Sequence, residues 1–482
     1  MPRRNLILLL VAAIVSLACY ARAARNRYSE TFSQALNIVV RDYVDEVEPR
    51  ILFEGAMDGM MEQLDMYSGY TPPQEYLQFK EQIDGEFPGI GVLIDIDEKN
   101  HQLVVLVPTP GSPASKAGLT PGDIIEAVDG AGPAEMPLMD VARRIKGPAG
   151  TKVTLTIRRK SKPEPFDVVI PRARIAIESV MGDVRRDDGT WIYHLADHPR
   201  IGYIRLTTFA ERTADDFRRA LEQCKPGRDI DGLILDLRGN EGGLLKSAVE
   251  LADMLLEEGM IVSTRGRGGV EKSAYFAEPG TELAADFPLV ILLDRYAASA
   301  SEIFAAALQD HQRAIVIGER SWGKGTVQNI EELEGGKSAL RITIATYWRP
   351  SGKDIHKRRN AKDTDDWGVR PDPGMEVILP KEVHEKWIRS RRMRDVTPIS
   401  ELEAKRAASL LAPPDSTQKN PSTTKDPGAN PADPPKPVPD AGEDEPVDLF
   451  YVDPQLQRAI DAIEQRIKRL GFSQLAAGLR RV

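Results

Sequence analysis

Two segments of the chain hold residue types able to carry chemistry. The first is GERSWGKGTVQ, residues 318–328, in which Gly318, Gly323 and Lys324 fall where a G-x-x-x-x-G-K-[ST] phosphate loop would put them. That loop needs a hydroxyl directly after the lysine to ligate Mg²⁺, and Gly325 stands there, with Thr326 one residue late. It must also run into a helix whose N-terminus holds the anion. TVQNIEELEGGKSALRITIATYW instead reads as strands around a Gly-Gly turn. Lys324 is then either an ordinary solvated side chain or the partner of a group elsewhere in the chain.

The second segment is PLVILLDRYAASASEIFAAALQDH, where an apolar strand ends at about Asp294 and an amphipathic helix starts near Ser301. Ser299 sits at the switch. Ser299-Ala300-Ser301-Glu302 fits the S-x-x-E capping box, so the hydroxyl could serve only to satisfy helix N–H groups. The same position suits a nucleophile, because free N–H groups and the positive helix end would stabilise an oxyanion forming beside it.

The elements that must position these residues follow from the rest of the chain. Its 482 residues allow two or three domains, and 41% hydrophobic content is that of a globular protein. A net charge of −9 without a basic stripe argues against nucleic acid as a partner. Cys19 and Cys224 are the only cysteines, and the six histidines are scattered; His194 and His198 lie four apart in a strand-and-loop context, so no metal site is expected. Residues 1–24 place two arginines before the apolar run Leu6–Cys19, with Ala21 and Ala23 in an A-x-A pattern interrupted by Arg22. This predicts a secretory signal or an uncleaved N-terminal anchor, and an exported remainder.

Helical spacing of Phe32, Leu36, Val39, Ile51, Leu52, Ala56, Met60 and Leu64 predicts two or three helices over 25–83. Residues 84–175 read as a compact β-rich module, containing SPASKAGLTPGDIIEAVDG and a short helix near 137–146. From 200 the pattern becomes strand–turn–helix: IGYIRL with a helix from Ala214, DGLILDLRGN with a helix from Leu244, and PLVILLDR with a helix from Ser299. The Pro- and Asp-rich stretch within 401–450 predicts a disordered linker, and 451–482 a helix with an apolar face at Leu456, Ile460, Ile463 and Ile467.

These segments together resemble the carboxyl-terminal processing peptidases, or tail-specific proteases, serine peptidases with a Ser-Lys dyad. AASASEIFAAALQD resembles the family's nucleophile segment, GERSWGKGTVQ its lysine segment, and DLRGNEGGLL its Gly-rich turn. GEFPGIGVLID and GSPASKAGLTPGDIIEAVDG look like its PDZ domain, and WGVRPDPGMEV like the strand that closes the core. Two stretches depart from the family pattern: Asp294-Arg295-Tyr296-Ala297-Ala298 stands for Asn-x-Gly-Ser-Ala, and Ser321-Trp322 for Thr-Phe.

The resemblance implies an α+β multidomain chain: an α/β protease core over 176–400, crotonase- or Clp-protease-like, with an inserted PDZ domain and N-terminal helices. It implies Ser299 as nucleophile, Lys324 as general base and Gln328 as an orienting group, with Asp310 a further candidate. The N–H groups of Ala300 and of Gly242 or Gly243 are the expected oxyanion donors. The turn Gly89-Ile90-Gly91-Val92 is expected to take a substrate's terminal carboxylate, with the chain end added as a strand. Substrates would be proteins or peptides with free C-termini, cleaved without a cofactor in the periplasm or at the outer face of the cytoplasmic membrane. Membrane attachment, a homo-oligomer and an adaptor stay open. The rival readings are a catalytically silent PDZ scaffold and a nucleotide-binding protein.

Overall fold

The strand–turn–helix repetition after residue 200 builds a parallel sheet. In the computed structural model, which describes residues 27–97, 102–132, 138–411 and 448–479 together with Asn5 and Leu10, its strands lie in the order Ile315–Gly318, Leu289–Leu293, Gly232–Asp236, Ile201–Leu206. The short strand Val180–Met181 adds antiparallel to the last of these. Both faces of the sheet are covered, which is why LVILL and GLILD read as unbroken apolar runs. Leu233, Leu235, Leu289, Ile291 and Leu293 belong to a core shared with Phe217, Leu251 and Phe304 of the helices Thr213–Cys224, Leu245–Asp253 and Ala300–Asp310. Ile234, Val290 and Leu292 alternate to the opposite face, against Ile460 and Ile463 of the helix Pro454–Leu479. The apolar stripe expected on that helix is therefore the one that docks.

The β-rich module is an antiparallel sheet of Val92–Asp97, Gln102–Pro108, Ile124–Val128, Lys152–Arg158 and Phe166–Pro171, in that order. Val153, Leu155 and Ile157 are buried at alternate positions beside Ile90, Val105, Ile125 and Ile170. Its two chain ends are tied together, because Glu86–Gly89 pairs with Ala173–Ala176. The expected short helix runs over Leu138–Ile145.

The chain divides into two compact units, Met1–Gln78 with Gln328–Ile344, and Phe79–Val327 with Ala345–Val482. The helices Arg27–Asp42 and Pro49–Met61 thus belong with residues 328–344 instead of forming a segment that ends at 83. Within this first unit the strand Gly69–Thr71 pairs with Ala339–Arg341. Glu334 accepts from Arg50 at 2.5 Å and from the Tyr70 hydroxyl at 2.9 Å, and Phe53 meets the Tyr70 ring edge-on at 5.7 Å.

Two further expectations are corrected. Residues 401–411, read as linker, fall in the helix Ile399–Leu411, whose Leu402 is buried against Val184 and Ile192; residues 412–447 lie outside the described residues. WGVRPDPGMEV forms no strand. It meets the strand Ile315–Gly318 in one bridge, with Gly318 N donating to Met375 O at 3.2 Å and Val377 N to Gly318 O at 2.8 Å, and in a pair of bonds between Asp372 and Val316, Asp372 N to Val316 O at 2.9 Å and Val316 N to Asp372 Oδ2 at 2.7 Å. Pro371 and Pro373 lack the N–H groups a longer ladder would need. The expected leader lies outside the described residues apart from Asn5 and Leu10, and no helix among the described residues is long and apolar enough to cross a membrane.

Ile463, 1% exposed, tests the docking of the last helix. Ile463→Ala should lower stability by about 2–4 kcal/mol, read from the urea midpoint; an unchanged midpoint would mean that the helix contributes nothing to the core.

Candidate functional site

Ser299 lies between the strand Leu289–Leu293 and the helix Ala300–Asp310, with φ 55° and ψ −115°. A non-glycine residue at positive φ is strained, and such strain persists only where the surroundings enforce it. Here they do. Asp294, fully buried, accepts the N–H groups of Gly239, Tyr296 and Ala297 at 3.0–3.1 Å and so fixes the turn. Burial pushes its carboxyl up to about 6, against the pull of those N–H bonds. Asn240 O accepts from Ala298 N at 3.1 Å and from Ser301 Oγ at 2.8 Å. Its side chain spans to Leu206 O and to Gly242 N, at 2.7 and 2.9 Å.

The N–H groups of Glu302 and Ile303 donate to the Ser299 carbonyl oxygen at 2.9 and 3.0 Å, so the helix start has an acceptor independent of the serine hydroxyl. The expected capping box is present, and its glutamate half is enlarged. The Glu302 carboxylate accepts Ser299 N at 2.8 Å, and it also accepts Ser321 Oγ at 2.5 Å, Gly323 N at 2.7 Å and Lys324 N at 2.8 Å. Ser299 N and Lys324 N share one oxygen atom, Oε2, so two residues far apart in sequence have backbone nitrogens within two hydrogen-bond lengths of each other. Trp322 N adds a bond to Ala297 O at 2.9 Å.

The glycines flanking Lys324 have a steric cause. A Cβ on Gly323, whose φ is 87°, would lie 2.7 Å from Lys357 Cβ and 2.8 Å from the Trp367 ring; one on Gly325 would lie 2.2 Å from His356 N. Lys324 itself is half-buried. No helix follows it: Thr326–Leu333 is a strand, as the failed phosphate-loop match required.

Gly242 lies against the Ser299 turn, where a Cβ on it would meet Ser299 Cβ and Ala300 N at 2.9 Å, and a Cβ on Gly243 would meet Phe209 O at 2.1 Å. The Gly242 N–H is occupied by Asn240 Oδ1, which removes it as an oxyanion donor. Among the described residues, the N–H groups of Gly243 and Ala300 donate to no protein acceptor. Gln328 donates through Nε2 to the Tyr67 carbonyl oxygen. Asp310 is at the opposite end of its helix from Ser299, about 16 Å along the axis. It accepts from Arg349 at 2.6 and 2.9 Å and from Ser351 N at 3.0 Å, the arrangement of a helix-terminal structural acid and not of a group in the site.

In the β-rich module, Ile90 O accepts from Ala114 N at 2.8 Å, and Gly91 O accepts from Thr109 N and Ser112 Oγ at 2.9 Å. The N–H groups of Ile90 and Gly91 have no acceptor among the described residues. The following strand, Val92–Asp97, is an edge strand of its sheet. His194 and His198 join no cluster: among the described residues no group of His, Cys, Asp or Glu could hold a metal ion.

Sequence reasoning missed three residues. Asn240 and Asp294 were readable as turn formers, since both types hydrogen-bond backbone two or three residues on. Glu302 was read only as a cap; no local signal shows that its carboxylate also serves residues 321–324.

The sequence profile of Peptidase family S41 matches residues 200–373, that of a PDZ domain residues 104–159, and that of the Activating protease CtpB N-terminal domain residues 19–73. The carboxy-terminal-processing protease of Bartonella bacilliformis is 36% identical over 363 residues, 74% of this chain and 78% of its own. The carboxy-terminal processing protease CtpB of Bacillus subtilis is 32% identical over 348 residues, 72% of this chain and 69% of its own. The solved photosystem II D1 C-terminal processing protease is 30% identical and covers 74% of this chain and 95% of that one, at a TM-score of 0.40.

Burial pushes the Glu302 carboxyl up to about 7, against its four hydrogen bonds. A folded value above the unfolded 4.5 stabilises fully below about 4.5, and that contribution is lost as pH rises through about 7. Wild type should therefore lose stability relative to Glu302→Gln over this interval. A pH-independent difference between their urea midpoints would show that Glu302 titrates as an ordinary glutamate.

Proposed function

Because the chain belongs to the carboxyl-terminal processing proteases of peptidase family S41, we propose that Ser299 is the nucleophile and Lys324 the general base of its peptide hydrolysis. The observation that carries this reading is the shared Glu302 oxygen, which draws the serine turn and the lysine loop together. A lysine has an ordinary pKa of about 10.4 and must be uncharged to accept a proton. For Lys324 to do so, its surroundings must disfavour the charged form. It takes the Ser299 hydroxyl proton as the oxygen attacks the substrate carbonyl carbon. The oxyanion that forms is met by the N–H groups of Ala300 and Gly243. Return of the proton to the departing amine leaves an acyl-enzyme, and water, deprotonated by the same lysine, releases the new carboxylate.

The PDZ module supplies the substrate. Ile90 and Gly91 offer consecutive N–H groups to a terminal carboxylate, and the edge of Val92–Asp97 accepts the preceding residues as an added strand. Gln328 is retained as an orienting group on the strength of the family resemblance alone. The arginine-led apolar segment before residue 24 supports an exported enzyme acting outside the cytoplasmic membrane.

Ser299→Ala and Lys324→Ala should each lower kcat by at least about 10³-fold while the circular dichroism spectrum and urea midpoint hold. Turnover near the wild-type rate in either variant would reject the dyad, and a wild type that binds peptides without turning them over would favour the silent scaffold. Gly91→Val, which drives a Cβ to 2.4 Å from Ser112 Cβ, should weaken binding of a peptide with a free carboxyl end by about tenfold or more. Equal affinity of wild type for the free and amidated peptide would remove carboxylate recognition from that turn.

A further inference from the structure

The backbone of residues 355–369 packs directly on the lysine loop. Lys357 N donates to Gly323 O at 2.8 Å, and Ser321 exchanges bonds with Val369, N to O at 3.0 Å and Val369 N to Ser321 Oγ at 2.7 Å. Between these points Arg320 holds the segment from beneath. Its guanidinium donates to the carbonyl oxygens of Asp363, Asp365 and Trp367 and lies 3.3 Å from the Trp367 ring centroid. A charged stretch that would otherwise be an open surface loop is thereby fixed beside Lys324.

Three consecutive cations ride on it. The Lys357 ammonium sits 4.3 Å over Trp367. The Arg358 side chain is 80% exposed and comes only to 3.9 Å from Asp354. Arg359 is exposed and has no ion pair among the described residues. Of the acids nearby, Asp366 pairs with Lys353 at 2.7 Å, Asp365 accepts Lys362 N at 2.8 Å, and Asp354 accepts His356 N at 2.9 Å besides its long contact with Arg358. The fold spends backbone and side-chain bonds to hold this positive charge in place, with Arg358 in one long ion pair and Arg359 in none among the described residues.

We propose that Arg358 and Arg359 form a subsite that selects acidic side chains of the substrate close to the scissile bond. The proposal rests on Lys324 as the base, since it is the lysine loop that brings the pair near the reacting carbonyl. Guanidinium suits this task because it stays charged and presents a planar fork to a carboxylate. Exposed pairs are each worth a few-fold and are screened by salt, so the selection is graded and ionic-strength dependent.

The test uses the full-length enzyme and peptides that share one carboxyl-terminal tail and differ only by Glu or Gln at single positions within three residues of the cleaved bond. At low salt, kcat/KM for the best Glu peptide should exceed its Gln counterpart by about fivefold, and the ratio should approach one in 0.5 M NaCl. In Arg358→Gln/Arg359→Gln the low-salt ratio should fall to near one, and in Arg358→Glu/Arg359→Glu a Lys peptide should overtake the Glu peptide. The ratio is taken within each enzyme, so a general loss of activity cancels. A wild-type ratio of one, or a preference that survives both double variants, overturns the subsite while leaving the dyad standing. Cleavage of every peptide by Ser299→Ala would instead overturn the dyad reading.

Discussion

One buried carboxylate organises the candidate site. An ionised group removed from water is costly unless it finds donors, and Glu302 finds four, from the serine turn and from residues 321–324. The bonds act in both directions. They solvate the carboxylate, and they hold two stretches of irregular backbone in one register that neither would keep alone. The departures from the family pattern read differently in this light: Ser321 keeps a hydroxyl to give to Glu302 Oε1, and Asp294 supplies the acceptor atoms that shape the turn before Ser299.

The parallel sheet sets the distances over which this carboxylate works. Its strands end on one side in Leu206, Asp236 and Leu293, and the turns that follow carry Asn240, Gly243 and Ser299. A polar lattice ties that edge to the chain's last helix: Arg238 bonds Asp236 at 2.7 and 2.9 Å and Asp453 at 2.8 Å, with its guanidinium 4.2 Å over Trp387. The Tyr203 hydroxyl completes it by donating to Asp236 at 2.7 Å. Charges buried this completely are held by mutual pairing, and removing one partner would leave the others uncompensated.

What could be read in the sequence was what is local. The starts of the helices Thr213–Cys224, Leu245–Asp253 and Ala300–Asp310 lie within a residue of the expected Ala214, Leu244 and Ser299, because strand period, turn residues and helix face succeed one another without interruption. The apolar face of the last helix was legible for the same reason. Illegible were the partnerships across long separations. Nothing near Gly69–Thr71 announces Ala339–Arg341 as its neighbour, and nothing near Ser321 announces Glu302. Asp310 was misplaced because its type and its position at a helix end suit a functional acid and a structural one equally, and only the geometry of Arg349 decides.

The helix Pro454–Leu479 is the last described element and yet it seals one face of the central sheet. Without it, Ile234, Val290 and Leu292 would face water and the strands beneath the serine turn would lose the cover of one face. A chain shorn of this helix is therefore an unfinished hydrolase.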